Sequence, residues 1–319
     1  MNAVITGVTG FLGSFLAEHL LAEGDRVLGI SRRGVWPAFI PAQLQQAVPL
    51  TRWDANRSLR GTQVKQQILR FQPDCIYHLA ALSGPSDCGE LLPNALAAAV
   101  NIGGTAAVLE LAAQLPRKPR VLFSSTSHVY DPQSAAGGRV SEQSPVAPQR
   151  GYGWSKWLAE AMIVPFALDR GVEVIVARSF QHTGPRQLLR TMLPDWAWQF
   201  VGGDLEPVRV HNLTTTIDLS DVRDVVRAYR LLMVKGQPGE VYNVGSGVAL
   251  ENGAVFEILR ELAGPDRKFI ELNPGVHYNP VADIARLVAC TGWQPQIRLT
   301  QTVADTLGFW QEHKLHLGE

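Results

Sequence analysis

Three consecutive polar residues, Thr126, Ser127 and His128, close the apolar run RVLFSSTSHVY. Such a cluster suits a nucleophile, a metal site, or a hydrogen bond to a reacting oxygen. A nucleophile needs a base and a group that orients the base, and the chain shows no such arrangement for acyl transfer. A metal needs a carboxylate or a second histidine at ligand spacing, and neither is there. Further along, in YGWSK, Tyr152 and Lys156 are four residues apart and share one face of a helix. A lysine beside a phenol stabilises the phenolate and lowers its pKa toward working pH. That pair can pass a proton to or from a carbinol oxygen while a hydride moves on the carbon.

Strands and helices have to bring these groups together. AVITG, RVLGIS, CIYHLAA, RVLFSS and EVIVARS read as strands, with FLGSFLAEHLLAEG and NIGGTAAVLELAAQL as helices between them. Continuous apolar strands separated by helices predict a parallel sheet covered on both faces. The first helix ends at Gly24, a suitable residue for a helix C-terminus. In DVRDVVRAYRLLM, residues Val222, Val225, Val226, Tyr229 and Leu232 share one face with arginines opposite, which marks a core-facing helix.

The first strand meets the first helix at GVTGFLG, where Gly7, Gly10 and Gly13 surround Phe11 and Leu12. A dinucleotide needs this strand, glycine turn and helix: the backbone can approach a pyrophosphate, and the helix N-terminus supplies N–H donors. The second strand ends in ISRRG. Ser31, Arg32 and Arg33 stand where an acidic residue would hold the ribose of NAD. Guanidinium pairs well with a 2′-phosphate, so NADP(H) is the expected cofactor and NAD(H) the second choice. Asp54 and Ala55 follow the third strand at TRW, and Asp54 is placed to reach the adenine amino group. Leu79, Ala80 and Ala81 open the small-residue run LAALS, which leaves room for the cofactor at a strand end.

At 319 residues the chain exceeds the size at which one core keeps growing, so two lobes are expected. Basic and acidic residues number 29 each, so no net field draws it to nucleic acid or an anionic membrane, and neither is an expected partner. The N-terminus runs into the glycine motif without a charged leader, and no apolar run reads as a membrane span. Cys75, Cys88 and Cys290 are far apart and lack CxxC spacing, which argues against zinc and disulfides and for a reducing, cytoplasmic setting. Residues 131–149 read as a surface loop.

Together TGVTGFLG, HLAALS, SSTSHVY, YGWSK and the stretch from DLSDVRDVVRAYRLLM to GEVYNVGSG resemble the extended short-chain dehydrogenase/reductases of nucleotide sugars, the NAD-dependent epimerase/dehydratase family. RSFQHTGPRQ is most similar to GDP-4-keto-6-deoxy-mannose reductases and the related GDP-mannose 4,6-dehydratases. The resemblance implies an α/β fold: a doubly wound parallel Rossmann sheet with a smaller C-terminal α/β substrate lobe. Residues 1–179 and about 214–246 would form the cofactor lobe, and about 180–213 with 247–319 the substrate lobe. It implies Tyr152 as acid/base, Lys156 on the nicotinamide ribose, Thr126 on the reacting sugar oxygen, and Ser179, His182 and Arg186 at the cofactor. Ser83, His128, Gln181, Arg190 and Arg209 are expected at the substrate, and a homodimer is the expected assembly.

The chain departs from that pattern in several places. His128 stands where the dehydratases carry a proton-moving glutamate. An imidazole there can carry protons or simply be held by its surroundings, and both readings remain open. Gln181 replaces an asparagine. Thr216 and Ile217 stand where the reductases have two arginines, and HYNPVADIARL shortens a later arginine-bearing segment. An arginine fork is the natural clamp for a diphosphate, and Arg190, Arg209 and His211 are the remaining candidates. The expected function is NADPH-dependent reduction of a nucleotide-linked 4-keto-6-deoxy sugar, a GDP-sugar favoured. A 4-epimerase, a 4,6-dehydratase or a non-catalytic NADP-binding protein are the alternatives.

Overall fold

Seven parallel strands run through the centre of the computed structural model, which describes residues 1–59, 62–132, 138–202 and 207–314. They are β1 (Asn2–Thr6), β2 (Arg26–Ser31), β3 (Leu50–Arg52), β4 (Cys75–His78), β5 (Arg120–Thr126), β6 (Val174–Ser179) and β7 (Val241–Val244). Their order across the sheet is β7-β6-β5-β4-β1-β2-β3. The chain therefore starts in the middle, winds to one edge, and returns to wind to the other. The order reverses between β1 and β4, and the crevice at the carboxyl ends of those strands is where a doubly wound sheet takes a dinucleotide.

The helices that fix the site are α1 (Phe11–Ala22), α2 (Gln63–Phe71), α3 (Gly104–Gln114), α4 (Gly151–Arg170), α5 (Met192–Val201), α6 (Val222–Lys235), α7 (Asn252–Ala263) and α8 (Leu299–His313). Leu16 and Leu20 of α1 and Val225, Tyr229 and Leu232 of α6 pack on Ile5, Tyr77 and Ile175 on one face of the sheet. Ile68 of α2, Val108 and Leu109 of α3 and Ile163 of α4 pack on Val4, Ile76, Phe123 and Val176 on the other. Burial of each such side chain contributes roughly 1.5–3 kcal/mol. This is why the strands read as unbroken apolar runs.

A second, smaller core joins Leu193, Trp196 and Phe200 of α5, Phe256 and Leu259 of α7, and Val303 and Trp310 of α8. Val208 and Val210 contribute from a short strand that pairs in parallel with Phe269–Glu271. The chain leaves the sheet after β6, builds part of this α/β layer, and returns through α6 and β7 before completing it.

Two sequence expectations are corrected. Residues 133–137 lie outside the described residues, but the rest of the expected 131–149 loop is not simply surface. Arg139–Val140 pairs in parallel with Val281–Ala282, and Val140 is buried. The strand partner comes from far along the chain, so local composition does not reveal it. The run Ala95–Gln114 is also a helical stretch of 20 residues, apolar and long enough by composition to cross a membrane. Here Val108, Leu109 and Ala112 are buried against the sheet, which accounts for its apolar character.

Candidate active site

At the crevice, Gly7 has φ +76°, and a Cβ there would lie 2.9 Å from the Ala80 nitrogen. A Cβ at Gly13 would lie 2.3 Å from the Gly7 oxygen. Gly7 lets the β1–α1 turn press against the end of β4, and Gly13 lets α1 close on the turn itself. α1 starts from Gly10 with neither a side-chain cap nor an acidic residue in its first turn, which leaves its N–H donors for an anion. His182 stacks on Phe11 with ring centroids 5.9 Å apart and planes 10° apart. Arg186 lies 4.4 Å over the Phe15 ring and pairs with Glu18 at 2.8 Å. Both expected cofactor residues from the post-β6 segment therefore meet α1. Arg186 adopts φ +66°, a left-handed conformation uncommon outside glycine and concentrated at functional sites.

The Ser31 hydroxyl accepts from the Gly34 nitrogen at 2.9 Å and closes the turn after β2. Arg32 and Arg33 project from that turn, exposed and without an ion pair among the described residues. The register pairs Ser31 with Arg52, so a third exposed guanidinium stands at the same rim. Arg52 was not singled out from the sequence, because only the strand register places it beside the other two. Asp54 is half-buried and accepts from the Asn56 nitrogen at 3.4 Å. Ala55 is covered by α3, where a Cβ on Gly104 would approach its Cβ to 3.0 Å. A cavity of about 350 Å³ opens beside it, between Ala55–Leu59 and a face that includes Ala99, Gly103 and Glu110. None of Thr126, Tyr152 and Lys156 lines that cavity.

The floor of the crevice is a closed hydrogen-bond chain. The Ala80 N–H donates to the Thr6 hydroxyl at 3.2 Å, and Thr6 meets His78 Nδ1 at 2.7 Å. His78 Nε2 meets the Thr105 hydroxyl at 3.1 Å, and Thr105 donates to the Asn101 carbonyl at 2.6 Å. One assignment satisfies every step: Thr6 donates to Nδ1, and Nε2–H donates to Thr105. The ring is neutral, and burial, reinforced by the Lys156 charge, pushes its pKa down to about 3. Asn101 lies on a π-helical turn, Ala98–Gly103. Its side chain accepts from the Leu82 nitrogen at 2.8 Å and donates to the Leu82 oxygen at 3.0 Å and the Ser155 hydroxyl at 2.8 Å. Ser155 in turn donates to the Tyr152 carbonyl at 2.7 Å. Asn101 thus fastens the strand end at 79–83 to the helix carrying the tyrosine. Nothing in the local pattern distinguishes it from its helical neighbours.

Thr126, Tyr152 and Lys156 converge above this floor. Thr126 is buried at the end of β5 and bonds the half-buried Tyr152 side chain. Burial raises the phenol pKa well above its ordinary value, and the Thr126 bond offsets only part of that rise. The expected lowering by Lys156 is not found: burial dominates the phenol, and the lysine ammonium lies over the Phe123 ring instead. Lys156 is only 3% exposed, with Nζ 4.3 Å above the Phe123 ring. Its own pKa falls to about 8 through burial, with Glu160 and Cys88 opposing. Glycines flank the tyrosine: a Cβ on Gly151 would lie 2.4 Å from the Cys88 oxygen, and one on Gly153 would lie 2.3 Å from the His128 oxygen. Glycine in a helix costs roughly 0.5–1 kcal/mol against alanine. Here it allows two loops to close against the first turn of α4.

His128 stands at the mouth. Its N–H donates to the Thr126 hydroxyl at 3.3 Å, and its ring meets Tyr152 edge to face at 5.7 Å and 72°. The residue keeps a solvent-open side, yet the protein crowded about the ring and the Arg150 charge lower its pKa. Beneath Thr126, Ser125 donates to Glu160, which pairs with Arg178 at 2.7 Å with both side chains 4% exposed. This buried, fully bonded pair pins the end of β5 to α4 and β6.

The expected substrate residues are more scattered. Ser83 and Gln181 are exposed. Arg190, 81% exposed, approaches Asp87 at 3.4 Å across from the segment after β6. Arg209 points outward from a strand whose neighbours Val208 and Val210 are buried. Ser179, expected at the cofactor, has its hydroxyl engaged with Tyr229 at 2.6 Å. Thr216–Ile217 pairs with Leu250–Glu251, and Ile217 is buried. His211 and Asn273 meet at 3.1 Å. Among the described residues no cluster of three or more histidine, cysteine or carboxylate side chains could hold a metal.

A Rossmann sheet, an open helix N-terminus at its switch point and a Thr–Tyr–Lys trio define an NAD(P)-dependent oxidoreductase of the extended short-chain type. The chain matches the NAD dependent epimerase/dehydratase family over residues 3–245 and belongs to it. It is 27% identical to a GDP-6-deoxy-D-mannose reductase of Pseudomonas aeruginosa, with 96% of each chain covered. It is also 27% identical to a dTDP-glucose 4,6-dehydratase of Haemophilus influenzae, over 97% of this chain and 98% of the other. The Pseudomonas aeruginosa protein RMD, solved in complex with NADPH, superposes with a TM-score of 0.75 at 24% identity, over 98% of this chain and 99% of that one.

Proposed function

We propose that this chain uses NADPH to reduce the keto group of a nucleotide-linked 4-keto-6-deoxy sugar, a GDP-sugar by preference. The observation that carries the reading is the set of exposed guanidiniums at the ends of β2 and β3, which have no ion pair among the described residues and suit a phosphorylated, reducing cofactor. Tyr152, beside Thr126, is the group placed to protonate the keto oxygen. The free guanidiniums of Arg32, Arg33 and Arg52 fit the phosphate of NADPH, and the first-turn N–H groups of α1 fit its pyrophosphate. NADPH supplies the hydride when bound. Thr126 then orients the keto oxygen, Tyr152 protonates it, and Lys156 meets the ribose with an ammonium that gives up its proton near pH 8. The similarity to a GDP-6-deoxy-D-mannose reductase and to a protein complexed with NADPH supports the same reading.

The second core forms the substrate lobe, with Ser83, His128, Gln181, Arg190 and Arg209 toward the substrate. Leu158 and Leu168 of α4 and nearby Leu91, Leu92 and Leu96 are exposed and suit the expected homodimer, which sedimentation of the parent against Leu168→Glu tests. The reaction itself is tested by incubating the protein with NADPH and a panel of GDP-, UDP- and dTDP-linked 4-keto-6-deoxy sugars. Mass spectrometry should find a product heavier by two hydrogens. The reading fails if no keto-sugar is reduced while an intact nucleotide sugar with oxidised cofactor is dehydrated or epimerised.

A further inference from the structure

We propose that His128 carries protons between solvent and the Tyr152 phenol. This rests on the reductase reading, in which every turnover consumes one proton. When hydride reaches the keto carbon, the C=O bond becomes CH–OH, the oxygen takes the phenolic proton, and Tyr152 is left as tyrosinate. It must regain a proton from solvent before the next cycle.

The other groups around the phenol are poorly placed to bring one. Thr126 is buried at a strand end. Lys156 is buried, and its Nζ lies over the Phe123 ring. Behind it, His78 is neutral with both ring nitrogens bonded. The Asn101 amide is committed to Leu82 and Ser155. The interior side of the tyrosine is therefore a set of satisfied partners without an open end.

His128 differs on each count. It keeps a side open to solvent, and its ring packs edge to face on Tyr152 with centroids 5.7 Å apart. Its ring nitrogens have no hydrogen-bond partner among the described residues. Its backbone is fixed at both ends, by the N–H bond to Thr126 and by the close seat of its carbonyl on Gly153. The groups that face it are the neutral phenol and the Arg150 guanidinium. That surrounding keeps the imidazole uncharged near neutrality, so one nitrogen takes a proton from water while the other gives one to tyrosinate. The ring returns to its starting charge.

The test compares the parent with His128→Asn, which keeps a polar side chain but cannot relay protons. With NADPH and saturating keto-sugar, steady-state turnover should fall by roughly tenfold or more, and by more than hydride transfer in the first turnover falls. Added imidazole should restore turnover in proportion to its concentration. A substrate-free measurement runs alongside. The Tyr152 hydroxyl proton, followed through its deuterium shift on ring-labelled ¹³C tyrosine and identified by its loss in Tyr152→Phe, should exchange with solvent about tenfold more slowly in His128→Asn. Unchanged exchange, or a slow variant that imidazole does not rescue, overturns the relay. Slowed exchange in a protein that reduces no keto-sugar leaves the relay standing and removes the reductase reading instead.

Discussion

Arg32, Arg33 and Arg52 stand exposed at the carboxyl ends of β2 and β3 with no ion pair among the described residues. On the far side of the crevice, Arg186 is held by Glu18 at 2.8 Å and Arg190 by Asp87 at 3.4 Å. Thr216 and Ile217, where a pair of arginines was looked for, carry no charge. In the proposed reading, cofactor choice rests on cations kept free for a ligand, whereas Arg186 at the cofactor and Arg190 at the substrate already have carboxylate partners. An exposed pair is worth only about 0–1 kcal/mol, so a diphosphate can draw Arg190 from Asp87 at small cost. Between the two regions lies Lys156, a buried cation resting on an aromatic face.

Breaking the centre should have the largest effect. Tyr152→Phe should keep cofactor affinity and lose turnover by at least roughly a hundredfold, as expected for a positioned proton donor. Parent-rate reduction by that variant would show that the two regions do not meet at this phenol.

Lys156→Met separates the buried cation from the exposed ones through pH. The folded pKa is lowered to about 8 from the ordinary 10.5, so between those values the unfolded chain binds more protons and the Lys156 contribution to stability rises with pH. The methionine variant should therefore melt above the parent at pH 7, and its advantage should shrink as pH rises through 8 toward 10. A constant difference across that range would place the ammonium in a water-like setting.

At the free end, replacing Arg32 and Arg33 with alanine should remove on the order of 1–3 kcal/mol of preference for NADPH over NADH. Fluorescence titration of both cofactors measures it. Equal affinities in the parent would erase the contrast between free and paired cations. The smallest change is expected at the rim. Asp87→Ala should alter thermal stability by less than about 1 kcal/mol and lower the KM for the nucleotide sugar by releasing Arg190. A raised KM would show that the pair itself, not the freed arginine, meets the substrate.

The legibility of the site follows the range of the interactions. The GVTGFLG turn, the ISRRG strand end and the Tyr152–Lys156 spacing are local signals, and the folded chain gathers them at one crevice. The helix with Val222, Val225, Val226, Tyr229 and Leu232 buries those residues because its apolar period is also local. Arg139–Val140 looked like part of a loop because its partner, Val281–Ala282, lies far along the chain. Arg52 and Asn101 went unnoticed for related reasons: one needs the strand register, the other a π-helical turn.

By itself the sequence determined the kind of sheet and the cofactor class and singled out Thr126, Tyr152 and Lys156 as candidates, since short-range spacing and side-chain chemistry are enough for those. Only the tertiary structure decided how each group holds its proton. His78 and His128 are the same residue type, yet one is sealed between two threonines and the other opens to solvent against a phenol. Burial raises the Tyr152 pKa by more than Thr126 lowers it. Proton affinity depends on the dielectric and the partners that the whole fold assembles, and no window of sequence contains either.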